Sequence, residues 1–118
     1  MTPAELFKGH PESLHLFEAV QRAVAKAGAH TTKVSKSQIA FKRKRSFAAV
    51  WRSEQYLHRA AAPLVLTVFA PRKIPSQRWK QVVEAAPGRF THHLEVFQPT
   101  DVDAEVEEWL RLAWNVAK

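Results

Sequence analysis

The run Pro63–Ala70, PLVLTVFA, is the most apolar segment of the chain and decides how the rest is read. Short, uncharged and rich in branched and aromatic side chains, it suits a central strand covered on both faces. Upstream lie three more short segments, TTKVSK from Thr31, SQIAFKR from Ser37 and SFAAVWR from Ser46, each too short and too broken for a helix. A sheet therefore begins at Thr31. With Ile39 and Phe41 inward in one strand and Phe47, Ala49 and Trp51 inward in the next, the cations Lys42 to Arg45 fall at or beside a reversal. Nothing like Asn-Gly marks a two-residue turn there, so a longer strand with a bend stays open as an alternative. Ser53 to Ala62 reads as a loop with a helical turn.

Downstream, PRKIPS is a loop. Val82 and Val83 fit a strand entering the Pro87, Gly88 turn better than a helical turn ending at it. Phe90, His92, Leu94 and Val96 then alternate with Thr91, His93, Glu95 and Phe97, the signature of a strand.

Helices flank this sheet. Thr2, Pro3, Ala4 and Glu5 match a capping box with proline at the first helical position, starting a turn that ends near Gly9. Leu14, Phe17, Val20, Val24 and Ala27 recur every three or four residues and draw one apolar stripe over Pro11 to Ala27, with Gly28 as its C-terminal cap. At the other end, Thr100 is placed as a cap and acidic side chains crowd the first turns, where the helix dipole favours them. Val102, Val106, Trp109, Leu110, Ala113 and Val116 form that helix's buried stripe. The expected fold is α+β: a two-layer sandwich with an N-terminal helix, an antiparallel meander of about four or five strands, and a C-terminal helix, both helices on one face.

Bulk composition agrees. A chain of 118 residues, 46% hydrophobic and 25% charged, has the size and make-up of one folded domain spanning residues 1–118. No cysteine is present, which excludes disulfides, thiolate zinc sites and cysteine nucleophiles and fits a reducing compartment. No run approaches a membrane span, and the N-terminus lacks a signal-peptide pattern, so the cytoplasm is the simplest address. The net charge of +7 is unevenly spread: residues 1–60 carry 11 Lys/Arg against 4 Asp/Glu, whereas residues 98–118 carry 2 against 5. Such a field raises the prior for an anionic partner without specifying one.

Four pieces, LFKGHPESLHLFEAV, IAFKRKRSFAAV, PGRFTHHLEV and EEWLRLAWNVAK, resemble a bacterial family of unknown function of the DUF5655 type, found alone or appended to other domains. The resemblance covers most of the chain and implies the same helix, sheet and helix plan. The family has no agreed activity, so it supplies no site residues. The dense cation block Lys42 to Arg45 looks more basic than the family pattern.

That block, Lys42, Arg43, Lys44 and Arg45, lies among Phe41, Phe47, Trp51 and Arg52, a composition that grips phosphates while aromatics stack on bases. The competing account points the aromatics into the core at alternate positions and leaves the cations solvated. A second cluster, Arg72, Lys73, Arg78 and Lys80 around Trp79, sits in the loop after the central strand. Convergence of the two clusters would strengthen the phosphate-binding account. His92 and His93 are adjacent, so on a strand they point to opposite faces and do not chelate one ion together. With no His, Asp and Glu cluster at ligand spacing, no metal or cofactor is expected. His10 and His15 read as surface histidines. No phosphate loop, nucleophile elbow or metalloprotease helix motif is present, and no catalytic residue is assigned.

Three functions follow, in this order. The first is a non-enzymatic binding module whose two basic clusters contact an anionic partner, nucleic acid being one. The second is a small-molecule binding protein or modest enzyme with a pocket between sheet and helices near Trp51, His92, His93 and Trp114. The third is an interaction domain or homodimer, the acidic last helix meeting the basic body of another copy. No membrane partner is expected.

Overall fold

The computed structural model describes residues 1–52 and 62–118, so the loop read over Ser53 to Ala62 lies, except for Ala62, outside the described residues. Helices α1 (Pro3–Leu6) and α2 (Pro11–Ala27) lead into β1 (Thr31–Val34), β2 (Ile39–Lys42), β3 (Ser46–Trp51), β4 (Leu64–Ala70), β5 (Gln81–Ala86) and β6 (Arg89–Val96), followed by a 3-10 turn (Pro99–Asp101) and α3 (Ala104–Val116). All strand pairs are antiparallel, in the order β1-β2-β3-β4-β6-β5. Six strands form, more than the four or five expected, because TTKV and QVVEAA both pair as edge strands. The sheet departs from a simple meander at one place, where β6 inserts between β4 and β5.

The capping box at Thr2 forms as its sequence requires. On α2, Phe17, Val20, Val24 and Ala27 are buried and Leu14 packs at the margin. They meet Ile39 and Phe41 of β2, Leu64, Leu66 and Val68 of β4, and Leu94 and Val96 of β6. Phe17 lies between Phe7 and Phe41 with ring centroids 5.6 and 6.3 Å away. Each such buried ring contributes about 2 to 3 kcal/mol by removal from water. β4 is interior in the sheet and nearly every residue of it is buried, as its apolar run dictates.

The inward set on β3 differs from strict alternation. Phe41 pairs with Ala48 but Lys42 pairs with Ser46, so one extra residue is accommodated on β3. Phe47 and Ala48 both join the core at this bulge, and the parity then shifts. Val50 faces the helices, while Ala49 and Trp51, in register with Thr67 and Val65, lie on the opposite face.

The cap of α3 is Asp103, whose carboxylate accepts from the Val106 N–H, and not Thr100. Thr100 belongs to the separate 3-10 turn, held by Asp101 Oδ2, which accepts from the N–H groups of Phe97 and Gln98. Val106, Trp109, Leu110 and Ala113 are buried as the stripe predicts, whereas Val116 at the last turn is exposed.

Candidate functional site

The cation block occupies the β2–β3 reversal, as its position beside Phe41 suggested: β2 ends at Lys42 and β3 begins at Ser46. The turn closes over the C-terminus of α3, where helix carbonyls are left without intrahelical donors. The backbone N–H groups of Lys44 and Arg45 donate to Ala117 O, Arg43 Nη1 donates to Trp114 O at 3.1 Å, and Arg45 Nη2 donates to Val116 O at 2.9 Å. Two of the four cations thus act inward, offsetting the negative pole of the helix. The side chains of Lys42 and Lys44 are exposed, and neither ammonium has a hydrogen bond or ion pair among the described residues.

Trp114 is the hinge of this arrangement. Its indole N–H donates to Ala29 O, and its ring lies against Gly28, where a Cβ would overlap the indole. Gly28 also has φ +152°, a value side-chain-bearing residues rarely adopt, so both the space and the backbone call for glycine.

The second cluster is divided along the length of α3. Arg72 and Lys73 follow β4 at the same end of the sheet as the β2–β3 turn and are exposed. Arg78 and Lys80 lie at the other end, where α3 begins; a helix of 13 residues is about 20 Å long. Arg78 bonds Asp103 Oδ1 at 3.0 Å, Glu105 Oε1 at 2.8 Å and Asp101 O at 2.8 Å. The Glu105 hydrogen bond outweighs burial and, with Asp103, raises the Arg78 pKa further above its usual value. Burial pushes the Asp103 carboxyl up, but the Arg78 and Val106 hydrogen bonds and the Arg78 charge hold it below its usual range. Lys80 pairs with Glu95 at 3.3 Å. The acidic first turns of α3 are therefore met by basic groups of the same chain, with Lys26 on Glu107 at 3.0 Å as a further link.

Trp51, His92, His93 and Trp114 do not gather around one cavity. Trp51 and Arg43 flank opposite ends of β3, and strand alternation sends His92 to the helix side and His93 to the other. His92 is fully buried. A backbone N–H can only donate, so its Nε2 accepts from Ile74 N at 2.9 Å, while Nδ1–H donates to Val68 O at 3.1 Å. Both ring nitrogens are spent on a neutral imidazole that clamps the β4–β5 loop, backed by Trp79, whose ring in turn lies tilted by 32° against Trp109 with centroids 4.1 Å apart. Burial pushes its pKa down. On the far face, Trp51 Nε1–H donates to Thr67 Oγ1 at 3.0 Å, and that hydroxyl completes its bonding at His93 Nδ1, 2.9 Å away. Burial first, and then the neighbouring His92, lower the His93 pKa. His15 is exposed beside Glu18, but His10 is half-buried and accepts from Arg52 Nη1 at 2.7 Å, tying the end of β3 to the start of α2.

Two concavities adjoin at Ser46: one occupies the sheet end where the β2–β3 turn and Pro71 lie, and the other runs along β1 and β2 from Lys42 to their connecting residues Ser35 and Gln38. The larger, about 450 Å³, is lined by Arg45, Ser46, Arg89 and Thr91 and by apolar groups that include Phe69 and Phe90. The smaller, about 330 Å³, is lined by Lys33, Ser35, Gln38, Ala40, Lys42 and Ser46. Ser46 belongs to both, and neither lining contains a carboxylate. Glu84, the acidic residue nearest in sequence to the β5–β6 turn, is turned to the Gly88 N–H. Lys33 was not distinguishable as a site residue in the sequence, and Arg89, considered there beside His92 or His93, instead lines the concavity at the β5–β6 turn, while strand pairing sets Lys33 opposite Ala40 in the same concavity as Lys42.

Among the described residues no helix is long and apolar enough to cross a membrane, and no group of three His, Cys, Asp or Glu is placed to hold a metal ion. Searches of curated proteins and of solved structures find no match. The profile of one family, described as a domain of unknown function, matches residues 4–117. With almost its whole length matched, from α1 through the end of α3, this chain belongs to the DUF5655 family.

Proposed function

We propose that this domain is a non-enzymatic binding module that holds an anionic partner, a nucleic-acid strand, along β1 and β2 and over the adjoining sheet end at the β2–β3 and β5–β6 turns. The observation that supports it is the pair of concavities joined at Ser46, lined by Lys33, Lys42, Arg45 and Arg89 and by no carboxylate. Lys44, Arg72 and Lys73 are exposed beside them and add to the same field. This is a reduced and shifted version of the surface expected from sequence, since Arg78 and Lys80 are neutralised by their own ion pairs. Phe41 and Phe47 are fully buried and take no part in stacking, so affinity rests chiefly on phosphate contacts.

Titration of single-stranded and duplex DNA and RNA at low salt tests this. Lys33, Lys42 and Arg89 engaging phosphates predict a log-log salt slope of about −2 for a single strand. Absence of binding at about 50 mM salt would overturn the proposal.

A further inference from the structure

The smaller concavity is built on one face of the sheet, the one turned away from the helices. Strand register puts Lys33 opposite Ala40, Ala40 opposite Ala49, and Ala49 opposite Thr67, all on that face. Lys42, two residues beyond Ala40, pairs with Thr31 on one side and Ser46 on the other. The β1–β2 connection bounds the opposite end: Ser35 Oγ donates to Gln38 O at 3.1 Å and accepts from the Gln38 N–H at 3.3 Å. That hydroxyl is spent on the turn. The Lys33 and Lys42 ammonium groups, the Ser46 hydroxyl and the Gln38 carboxamide have no hydrogen bond or ion pair among the described residues. Ala40, between the two lysines, keeps the floor low, and β1 is an edge strand of the sheet.

We infer that this concavity seats a phosphate monoester, the terminal phosphate of the bound strand, so that the domain holds a phosphorylated end in preference to a hydroxyl end. The inference rests on the polyanion reading above and names the group that its β1–β2 part takes. An internal phosphodiester carries a single charge and continues on both sides. A monoester carries about −1.5 to −2 at pH 7 and presents three strong acceptor oxygens. Two ammonium groups with no carboxylate beside them match that charge, and Ser46 and Gln38 supply neutral donors. Lysine serves as a point charge with rotatable donors, which suits a compact dianion more than the planar fork of arginine requires. A volume of about 330 Å³, bounded at Ser35 and Gln38, is that of a small-group site and not of a track along which a strand continues.

Fluorescence anisotropy at low salt tests it with three probes: an internally labelled single strand phosphorylated at both ends, the same strand with hydroxyl ends, and a fluorescent mononucleotide monophosphate. The phosphorylated strand is expected to bind about fivefold more tightly than the hydroxyl strand at pH 7.5, as one added ion contact implies. That ratio is expected to shrink at about pH 5.5, below the second phosphate pKa of about 6. Lys33→Gln and Lys42→Gln combined, both at exposed positions, are expected to abolish it. Arg89→Gln, in the other concavity, is expected to weaken both strands and preserve it. Equal affinity of the two strands at pH 7.5, a ratio unchanged at the lower pH, or a ratio that survives the double lysine variant overturns the monoester seat while the polyanion reading stands. Binding of the mononucleotide without either strand keeps the seat and removes the strand reading. No binding of any probe removes both.

Discussion

The guanidinium carbon of Arg43 lies 3.6 Å from the centre of the Trp114 ring, and the same side chain bonds the Trp114 carbonyl. A residue at the centre of the most basic stretch of the chain thus serves to close a helix. Arg43→Ala removes a cation–π contact and a capping hydrogen bond, and is expected to cost about 1 to 2 kcal/mol of stability. Lys44→Ala, at the exposed neighbouring position, is expected to stay within about 0.5 kcal/mol of the parent. Urea unfolding of the two variants checks the contrast, and equal losses would contradict the assignment of Arg43 to the helix end.

Gly28→Ala places a methyl group against the Trp114 indole at a backbone angle unfavourable for alanine, and is expected to cost about 2 kcal/mol or more. Because the clash is with one side chain, the double variant with Trp114→Leu should lose less than the sum of the single variants. Strict additivity in a double-mutant cycle would show that the close approach carries no cost.

His92 and His93 make stability fall on the acid side. Both imidazoles are held below their ordinary value near 6.5, so between the folded and unfolded values the unfolded chain binds more protons. Their contribution is fully present above about pH 6.5 and is lost as the pH falls through the lowered folded values. Asp103 follows the carboxylate pattern and adds a separate loss only below about pH 4. A urea midpoint that decreases from pH 7.5 to pH 5 is expected; an unchanged midpoint would refute it. His92→Leu, which leaves the Ile74 N–H without its acceptor, is expected to cost about 2 to 4 kcal/mol at pH 7.5 and to flatten part of that decrease.

Charge removal separates the two basic regions. Lys33→Gln, Lys42→Gln and Arg89→Gln are each expected to weaken single-strand binding and lower the salt slope by about 0.7. Arg78→Gln, whose charge is already met by Asp103 and Glu105, is expected to leave affinity and slope unchanged while costing about 1 kcal/mol or less of stability. An Arg78 variant that weakens binding as much as the Arg89 variant would place the contact surface at the other end of α3.

Local pattern by itself determined the elements: the apolar stripe of α2, the doubly covered strand Leu64–Ala70, the alternation from Phe90 to Val96, and the acidic start of the last helix. These are set by side-chain period and by groups within a few residues of each other, which a sequence carries directly. Tertiary structure decided the rest. The bulge that turns Ala49 and Trp51 away from the helices depends on how β2 and β3 register, and the insertion of β6 between β4 and β5 depends on pairing across the sheet. Whether a cation is spent or available is likewise a matter of distant neighbours: Arg43 and Arg45 meet carbonyls 71 residues away, and Arg78 meets carboxylates 25 and 27 residues away. Lys33 comes to line one concavity with Lys42, and Arg89 the adjoining one, for the same reason, since charge acts through space and the sequence records only order along the chain.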